Sequence, residues 1–282
     1  MHKHKLANKL VLSALAIAVT VIAFLGLVDK QGEMYTDAAF NRALITFGVA
    51  RGINGVISVA QGTEVAVHPA GFGVNFTPGQ ILDPINDVIE QFSWVMLAST
   101  ASLGIQKIFL GMSSSWIASA ILTVLLALVI VTLWRPGLFN PNLMSYTKSV
   151  LLVVVFIRFS VPVSAIGSEL LYEAFLAQQY TESTEKLEQT KQAISSLSQQ
   201  TKAEIAENVE EGMLDKAKRW LDSASQAIDM ESRFEQYTQA AADATRHTIN
   251  LIVVFVIQTV IFPLLFLWIV YRFLKVLGGR LI

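Results

Sequence analysis

Four long apolar blocks constrain the fold of this chain more than any other feature of its sequence. Leu10–Val28 and Trp116–Trp134 each run nineteen residues without a charged side chain, and Asn250–Tyr271 is a third uncharged block. A fourth block, Ser149–Ser168, is interrupted only by Arg158. A helix of roughly 20 apolar residues crosses the hydrocarbon core of a bilayer. The sequence therefore predicts a mainly α-helical, polytopic membrane protein with about four transmembrane helices.

The composition agrees with this class, since 53% of the 282 residues are hydrophobic and 15% are charged. The first block follows a basic start, so a cleaved secretory signal is the alternative to a membrane anchor. We favour the anchor because the block is longer than the roughly 7–15 residues of a signal core, and no small-x-small site precedes Asp29. The chain contains no cysteine, which excludes disulfides and thiolate metal sites.

The charged residues are distributed unevenly around the blocks, and their placement predicts an orientation. Segments 1–9, 135–148 and 272–282 contain Lys and Arg but no acidic residue, whereas all 22 acidic residues fall in 29–115 and 169–247. Short loops rich in Lys and Arg remain in the cytoplasm. We therefore expect a bacterial inner-membrane protein with both termini in the cytoplasm and both acidic segments in the periplasm.

The spans and the charge rule together predict the order of segments. In chain order these are a cytoplasmic tail (1–9), a transmembrane helix (10–28), a periplasmic segment (29–115), a second transmembrane helix (116–134), a cytoplasmic loop (135–148), a third transmembrane helix (149–168), a periplasmic helical hairpin (169–247), a fourth transmembrane helix (248–271) and a cytoplasmic tail (272–282).

Residues 93–112 are the ambiguous part of this topology. They are apolar enough to form a fifth span although they contain Lys107. A fifth crossing would reverse every later segment and place the acidic 169–247 stretch in the cytoplasm, against the charge rule. We therefore expect a helix over 84–112 that is interfacial or re-entrant, entering the membrane and returning, and the fifth span is the alternative.

Two local patterns lie in the first acidic segment. Alternating apolar residues on either side of His68-Pro69-Ala70-Gly71 predict a small β-hairpin over 63–76. Before it, Gly48, Gly52 and Gly55 interrupt a helical pattern. Small residues at this spacing either let another helix approach closely or simply weaken a surface helix.

The second acidic segment, 169–247, contains no proline and consists mostly of good helix formers. Its apolar positions follow a helical stripe, which predicts a long exposed antiparallel helical hairpin of coiled-coil type. The reversal is expected near Glu210 to Met213, and the second helix is expected to continue into the last span. With 8 basic and 15 acidic residues, the segment is either a solvated stalk or a face that binds an ion or a partner.

Arg158 is the residue that most clearly breaks the membrane pattern. It lies near the middle of its apolar block, where insertion scales give a cost of about 2.5–3.5 kcal/mol for an arginine. The cost is compensated if the side chain faces a water-filled path, pairs with a carboxylate inside the protein, or extends to the interface, and the sequence leaves these three open. Pro162 on the same predicted helix is a candidate kink.

Other polar or helix-breaking residues are weaker candidates for a site. Asp83, Asp87 and Glu90 form a candidate acidic face because their spacing puts them on one side of a helix. They either pair with the intramembrane arginine or point to water. In the last span, Gln258 is expected to hydrogen-bond a neighbouring helix, and Pro263 is a second candidate kink.

The sequence contains little that indicates catalysis. Its four histidines form no helical two-histidine motif, and no phosphate-loop or nucleophile-elbow pattern occurs. We predict no enzyme, no cofactor, no metal and no nucleic-acid partner, and a role for His68 as a base is the weakest hypothesis. The partners expected are the lipid bilayer, further copies of the chain in a homo-oligomer, and a periplasmic protein. The favoured function is a scaffold, sensor or assembly component, and the alternative is a homo-oligomeric channel or transport component with Arg158 in or near the path.

Overall fold

The computed structural model describes residues 2–61, 65–67, 74–76, 78–135, 137–138, 140–209 and 215–281. Almost all of these residues are helical. The helices are α1 (His2–Leu25), α2 (Leu27–Gln61), α3 (Pro78–Ser113), α4 (Trp116–Trp134), α5 (Pro141–Leu171), α6 (Ala177–Val209), α7 (Asp215–Val256) and α8 (Phe262–Leu281). A first π turn, Tyr172–Leu176, joins α5 to α6, and a second π turn, Ile257–Ile261, joins α7 to α8.

Six helical stretches of the described chain are long and apolar enough to cross a membrane. They are Leu6–Leu25, Leu27–Gln61, Leu82–Ser113, Trp116–Trp134, Ser149–Gln200 and Phe234–Val276. This set of apolar helices fits the multi-pass membrane class predicted from the sequence. The order and direction in which they cross a bilayer are predicted from the placement of the Lys and Arg residues.

Two short strands accompany the helices. β1 (Val65–Val67) pairs antiparallel with β2 (Val74–Phe76), with Val65 opposite Phe76. His68 and the rest of the predicted turn lie outside the described residues, so the complete β-hairpin over 63–76 remains a prediction.

The joint between α1 and α2 consists of a single residue, Gly26. Its φ of +62° is accessible to glycine at no steric cost, and it ends α1 at Leu25, before Val28, the predicted end of the first span. The backbone nevertheless continues in nearly helical form, because the Lys30 N–H donates to the Gly26 carbonyl at 2.9 Å. Antiparallel helix pairs need a loop of about two to five residues. Helix α2 therefore does not turn back along α1.

Helix α3 contains the segment whose topology was ambiguous. Residues 84–112 lie inside one uninterrupted helix that continues through Pro84 to Ser113. An arrangement that enters the membrane and returns within 84–112 needs a reversal of the backbone, and this helix has none there. The re-entrant form of the prediction does not match the structure, whereas an interfacial helix and a fifth span both remain predictions.

The chain divides into two compact units. Unit 1 comprises Met1–Asn41, Thr100–Ala174 and Ile257–Ile282. In it α4 packs against α1 and α5, and α8 packs against α5. Helices α1 and α4 are antiparallel, since Ser119 near the start of α4 meets Ala23 near the end of α1, and Trp134 at the end of α4 meets Ser13 earlier in α1. The apolar residues buried between α1, α4 and α5 are Ala16, Ala23, Leu122 and Leu126, with Val19, Ile130, Leu151, Val154, Val155 and Phe159 around them.

Unit 2 comprises Arg42–Ser99 and Phe175–Val256. Its buried residues recur alternately three and four positions apart, the spacing of coiled coils and helix bundles. On α2 these are Ala43, Thr46, Ala50, Ile53, Ile57 and Ala60, and on α3 they are Leu82, Ile85, Ile89, Phe92, Met96 and Ser99. Helices α6 and α7 pack side by side, and the predicted reversal near Glu210 to Met213 lies outside the described residues.

The glycines of α2 differ in their surroundings. A Cβ added at Gly48 or Gly55 would meet nothing within 4 Å, and one at Gly52 would make ordinary contact with Lys191 at 3.5 Å. Close helix approach at Gly48 and Gly55 is therefore absent within the described part of the chain. Gly32 behaves differently, because a Cβ there would lie 2.9 Å from both Cα and Cβ of Pro162 on α5.

Gly32→Ala should destabilise the protein, because the new methyl group would press on the backbone of Pro162. Overpacking of this kind costs about 1–3 kcal/mol of unfolding free energy. Gly48→Ala on the same helix is the matched control, and it should be neutral or stabilising by up to about 1 kcal/mol, since alanine is the better helix former. Thermal unfolding in detergent measures both. Equal melting temperatures for the two variants would contradict the close contact.

Candidate functional site

The most concentrated polar chemistry of unit 1 surrounds Arg158, which is 1% exposed. Its Nη1 donates to Oδ1 of Asp29 at 2.6 Å, and its Nη2 donates to Oδ2 of the same carboxylate at 2.5 Å. Nη2 also donates to the backbone carbonyl of Ala23 at 2.9 Å. A two-pronged arginine–carboxylate pair of this kind is a strong and geometrically specific interaction. The buried positive charge is thus neutralised within the chain.

The helix joint at Gly26 explains why the pair forms at this place. Helix α1 ends just before it, and the last carbonyls of a helix lack intrahelical partners. The Ala23 carbonyl is one of these, and it accepts from Arg158 and from the Ser119 hydroxyl at 3.4 Å. Asp29 lies in the first turn of α2. Cations are favoured at helix C-termini and anions at N-termini, so both helix dipoles support the pair.

Asp29, and not one of the three carboxylates named from the sequence, is the partner of the buried guanidinium. Asp83, Asp87 and Glu90 are exposed, and Asp83 accepts a hydrogen bond from Gln61 Nε2 at 2.8 Å. These side chains thus lie on the outer surface of α3, and whether they point to water stays a prediction. The sequence did contain a signal for Asp29, namely an acid three residues after a glycine inside an apolar block, but the span boundary predicted at Val28 obscured it.

The contacts of Arg158 lie at the ends of other helices. Arg158 itself lies near the middle of the block Ser149–Ser168, yet it contacts Ala23 near the C-terminus of α1, and Ser119 from the beginning of α4 binds the same carbonyl. The middle of this apolar block is therefore level with helix ends in unit 1. Pro162 lies inside α5, which continues on both sides of it, so the predicted kink there remains a prediction.

The second polar location of unit 1 is the second π turn. The backbone carbonyl of Gln258 accepts a hydrogen bond from the Ser168 hydroxyl of α5 at 3.3 Å. Pro263 lies in the first turn of α8 and has no N–H to offer to the preceding turn, so a donor from another helix takes the place of the missing one. The interhelical contact at Gln258 thus involves its backbone. Its side chain is 2% exposed, and neither its Oε1 nor its Nε2 has a hydrogen-bond partner within the described chain.

In unit 2, helices α6 and α7 present a polar pairing surface. They run antiparallel, since the Tyr180 ring lies 6.0 Å from that of Phe255 and Ser183 Oγ lies 3.3 Å from His247 Nδ1. Several of the buried residues on the described parts of these helices are Ser or Thr. They are Ser183, Thr190, Ser198 and Thr248.

Removal of one partner of the Arg158–Asp29 pair should cost about 3–5 kcal/mol of unfolding free energy, because an unpaired charge stays buried. Asp29→Leu and Arg158→Met should each show this loss, whereas the double variant should be more stable than either single variant. A double-mutant cycle by thermal unfolding in detergent measures the coupling. Lys107→Met is the control: its Nζ lies 2.8 Å from Asp37 Oδ1 in a half-exposed pair, and it should change stability little. Losses that simply add would contradict the pairing.

Comparison with known proteins gives no indication of the function of this chain. No protein-family model, no curated protein and no solved structure matches the chain. Among the described residues, no three His, Cys, Asp or Glu side chains come together in a way that could hold a metal ion. The candidate site is therefore defined by its contacts: a neutralised charge at a helix joint in unit 1 and a polar helix pair in unit 2.

Proposed function

We propose that this protein is a non-enzymatic scaffold, sensor or assembly component of a bacterial inner membrane, and that it acts through α6 and α7 on the periplasmic side. The observation that carries the proposal is the closed pair between Arg158 and Asp29. An arginine that conducts a solute faces water, whereas this guanidinium is buried and bound to a carboxylate and a helix end. Its contacts join α1, α2 and α5, which is a structural role.

The proposed topology has four crossings, made by α1, α4, α5 and the apolar stretch 250–271, with both termini in the cytoplasm. The packing of unit 1 supports it, because α4 packs against α1 and α5 there and α8 packs against α5. The one-residue joint at Gly26 supports it further, since α2 cannot follow α1 as an immediate return crossing. Segments 29–115 and 169–247 then reach the periplasm together.

The helix pair α6–α7 is the proposed working surface. Its segment, 169–247, is acidic, and a polar contact between Ser183 on α6 and His247 on α7 joins the two helices. We propose that this surface binds a periplasmic protein or a second copy of the chain, so that the protein works as a homo-oligomer in the lipid bilayer. Such a surface needs only the helix pair and no reactive group.

The alternative is a homo-oligomeric channel or transport component with Arg158 in or near the path. It is favoured by one observation, the presence of Arg158, Glu169 and Gln258 as buried polar side chains among the apolar helices of unit 1. Purified protein in lipid vesicles separates the two proposals. If the protein is a channel, the native form passes ions, and Arg158→Lys, which retains the charge, has a different conductance. If it is a scaffold, neither form shows ion flux.

Cysteine accessibility tests the topology, because the native chain has no background cysteine. Ser114→Cys and Ser196→Cys should react with a membrane-impermeant maleimide added outside the inner membrane. Ser145→Cys should react only after that membrane is disrupted. Labelling of position 196 exclusively from the cytoplasmic side would overturn the proposed location of α6 and α7.

Site-specific photo-crosslinking in cells tests the function. A photoreactive residue in place of exposed Gln189 on α6 or Thr238 on α7 should give discrete protein adducts, either with a second copy or with another protein. The same residue at Leu264, which is 62% exposed in the apolar stretch 250–271, is the matched control and should react mainly with lipid. No protein adduct from either α6 or α7 would contradict a binding role for this pair.

A further inference from the structure

The buried side chain of Gln258 lacks the hydrogen bonds that an amide group normally makes. It is 2% exposed, it lies in the second π turn of the apolar stretch, and its Oε1 and Nε2 both lack partners within the described chain. A buried amide without hydrogen bonds is costly, and native structures almost always satisfy such groups with protein or with ordered water. Because the residue is enclosed by its own chain, a second copy cannot reach it without opening the contact between α5 and α8.

Two contacts of α5, one with the turn that carries Gln258 and one with the beginning of α8, lie close to this residue in the chain. Ser168 donates its hydroxyl hydrogen to the Gln258 carbonyl at 3.3 Å. Next to it, Gly167 makes room for the Phe262 ring, since a Cβ at Gly167 would lie 2.8 Å from Phe262 Cζ. The contact between α5 and the beginning of α8 is thus closed by an aromatic ring on one side. π turns of this kind occur frequently at functional sites.

We propose that the Gln258 side chain and the second π turn form an internal site for a single bound water molecule. The unsatisfied acceptor and donor of the amide indicate which class of ligand fits. A metal cation would satisfy Oε1 but not the Nε2 hydrogens, and an anion would satisfy Nε2 but not Oε1. Water accepts from one and donates to the other, and the two amide atoms supply two of the roughly two to four partners that a buried water requires.

This site goes beyond the proposed function, because it requires neither a periplasmic partner nor an oligomer. It gives the π turn a physical role. The widened turn places Gln258 and the equally buried Thr259 inside the protein, and the water completes the hydrogen bonds that the neighbouring apolar side chains do not provide. At the same turn, the hydrogen bond from Ser168 to the Gln258 carbonyl joins α5 to the turn that leads into α8.

NMR of the full-length protein in lipid nanodiscs, with 15N in the glutamine side chains, tests the site. The Gln258 amide signals are assigned by their disappearance in Gln258→Met, an unbranched apolar replacement. We expect them to show cross-peaks at the water frequency with the sign of a long-lived bound molecule. The exposed Gln178 serves as control: its amide should show only exchange with bulk water, and Gln178→Met should leave the Gln258 signals unchanged.

Absence of the water cross-peaks from folded native protein would overturn the proposal. The melting temperature of Gln258→Met provides an independent readout. If water satisfies the amide, this variant loses those hydrogen bonds and should melt at or below the native temperature. If the amide is instead dry and unpaired, the replacement removes a penalty and the variant melts higher, a result that would also overturn the site.

Discussion

A buried guanidinium must be paired within an apolar bundle, and the pairing of Arg158 determines the positions of three helices. Its two Nη atoms bind Asp29 on α2, and Nη2 also binds the carbonyl of Ala23 at the end of α1. The unpaired backbone groups at a helix break would themselves be costly in an apolar environment. One arginine on α5 thus compensates for both the break at Gly26 and its own burial. The charge is therefore best understood as part of the architecture.

The two units achieve close packing by different means. In unit 1, where the helices are apolar on their outer surfaces as well, burial of apolar area gives little preference for one neighbour over another, so small side chains and specific polar contacts decide the arrangement. Ala23, Gly32 and Ser119 serve this purpose. In unit 2 the buried residues alternate three and four positions apart, and a polar contact joins α6 to α7 between Ser183 Oγ and His247 Nδ1 at 3.3 Å.

Irregular helix geometry in unit 1 coincides with polar chemistry. Gly26 breaks a helix where an ion pair forms, and the second π turn occurs where a buried glutamine precedes a proline that lacks an N–H. In each case the regular ladder of backbone hydrogen bonds is interrupted, and another helix supplies a polar group: Arg158 for the Ala23 carbonyl and Ser168 for the Gln258 carbonyl. Interruptions that would be costly in lipid are thereby satisfied inside the protein.

The sequence by itself determined the helical class and the stretches that are apolar enough to cross a membrane, because hydropathy and helix propensity are local properties that can be read along the chain. It also identified Arg158 and Gln258 as exceptions for the same reason. Only the tertiary structure decided that Asp29 is the partner of Arg158, since these residues are 129 positions apart and their meeting depends on a helix joint at one glycine. Likewise, the glycine spacing offered close helix approach at Gly48 and Gly55 as one alternative. The close approach occurs instead at Gly32, because contact between helices depends on which face another helix covers.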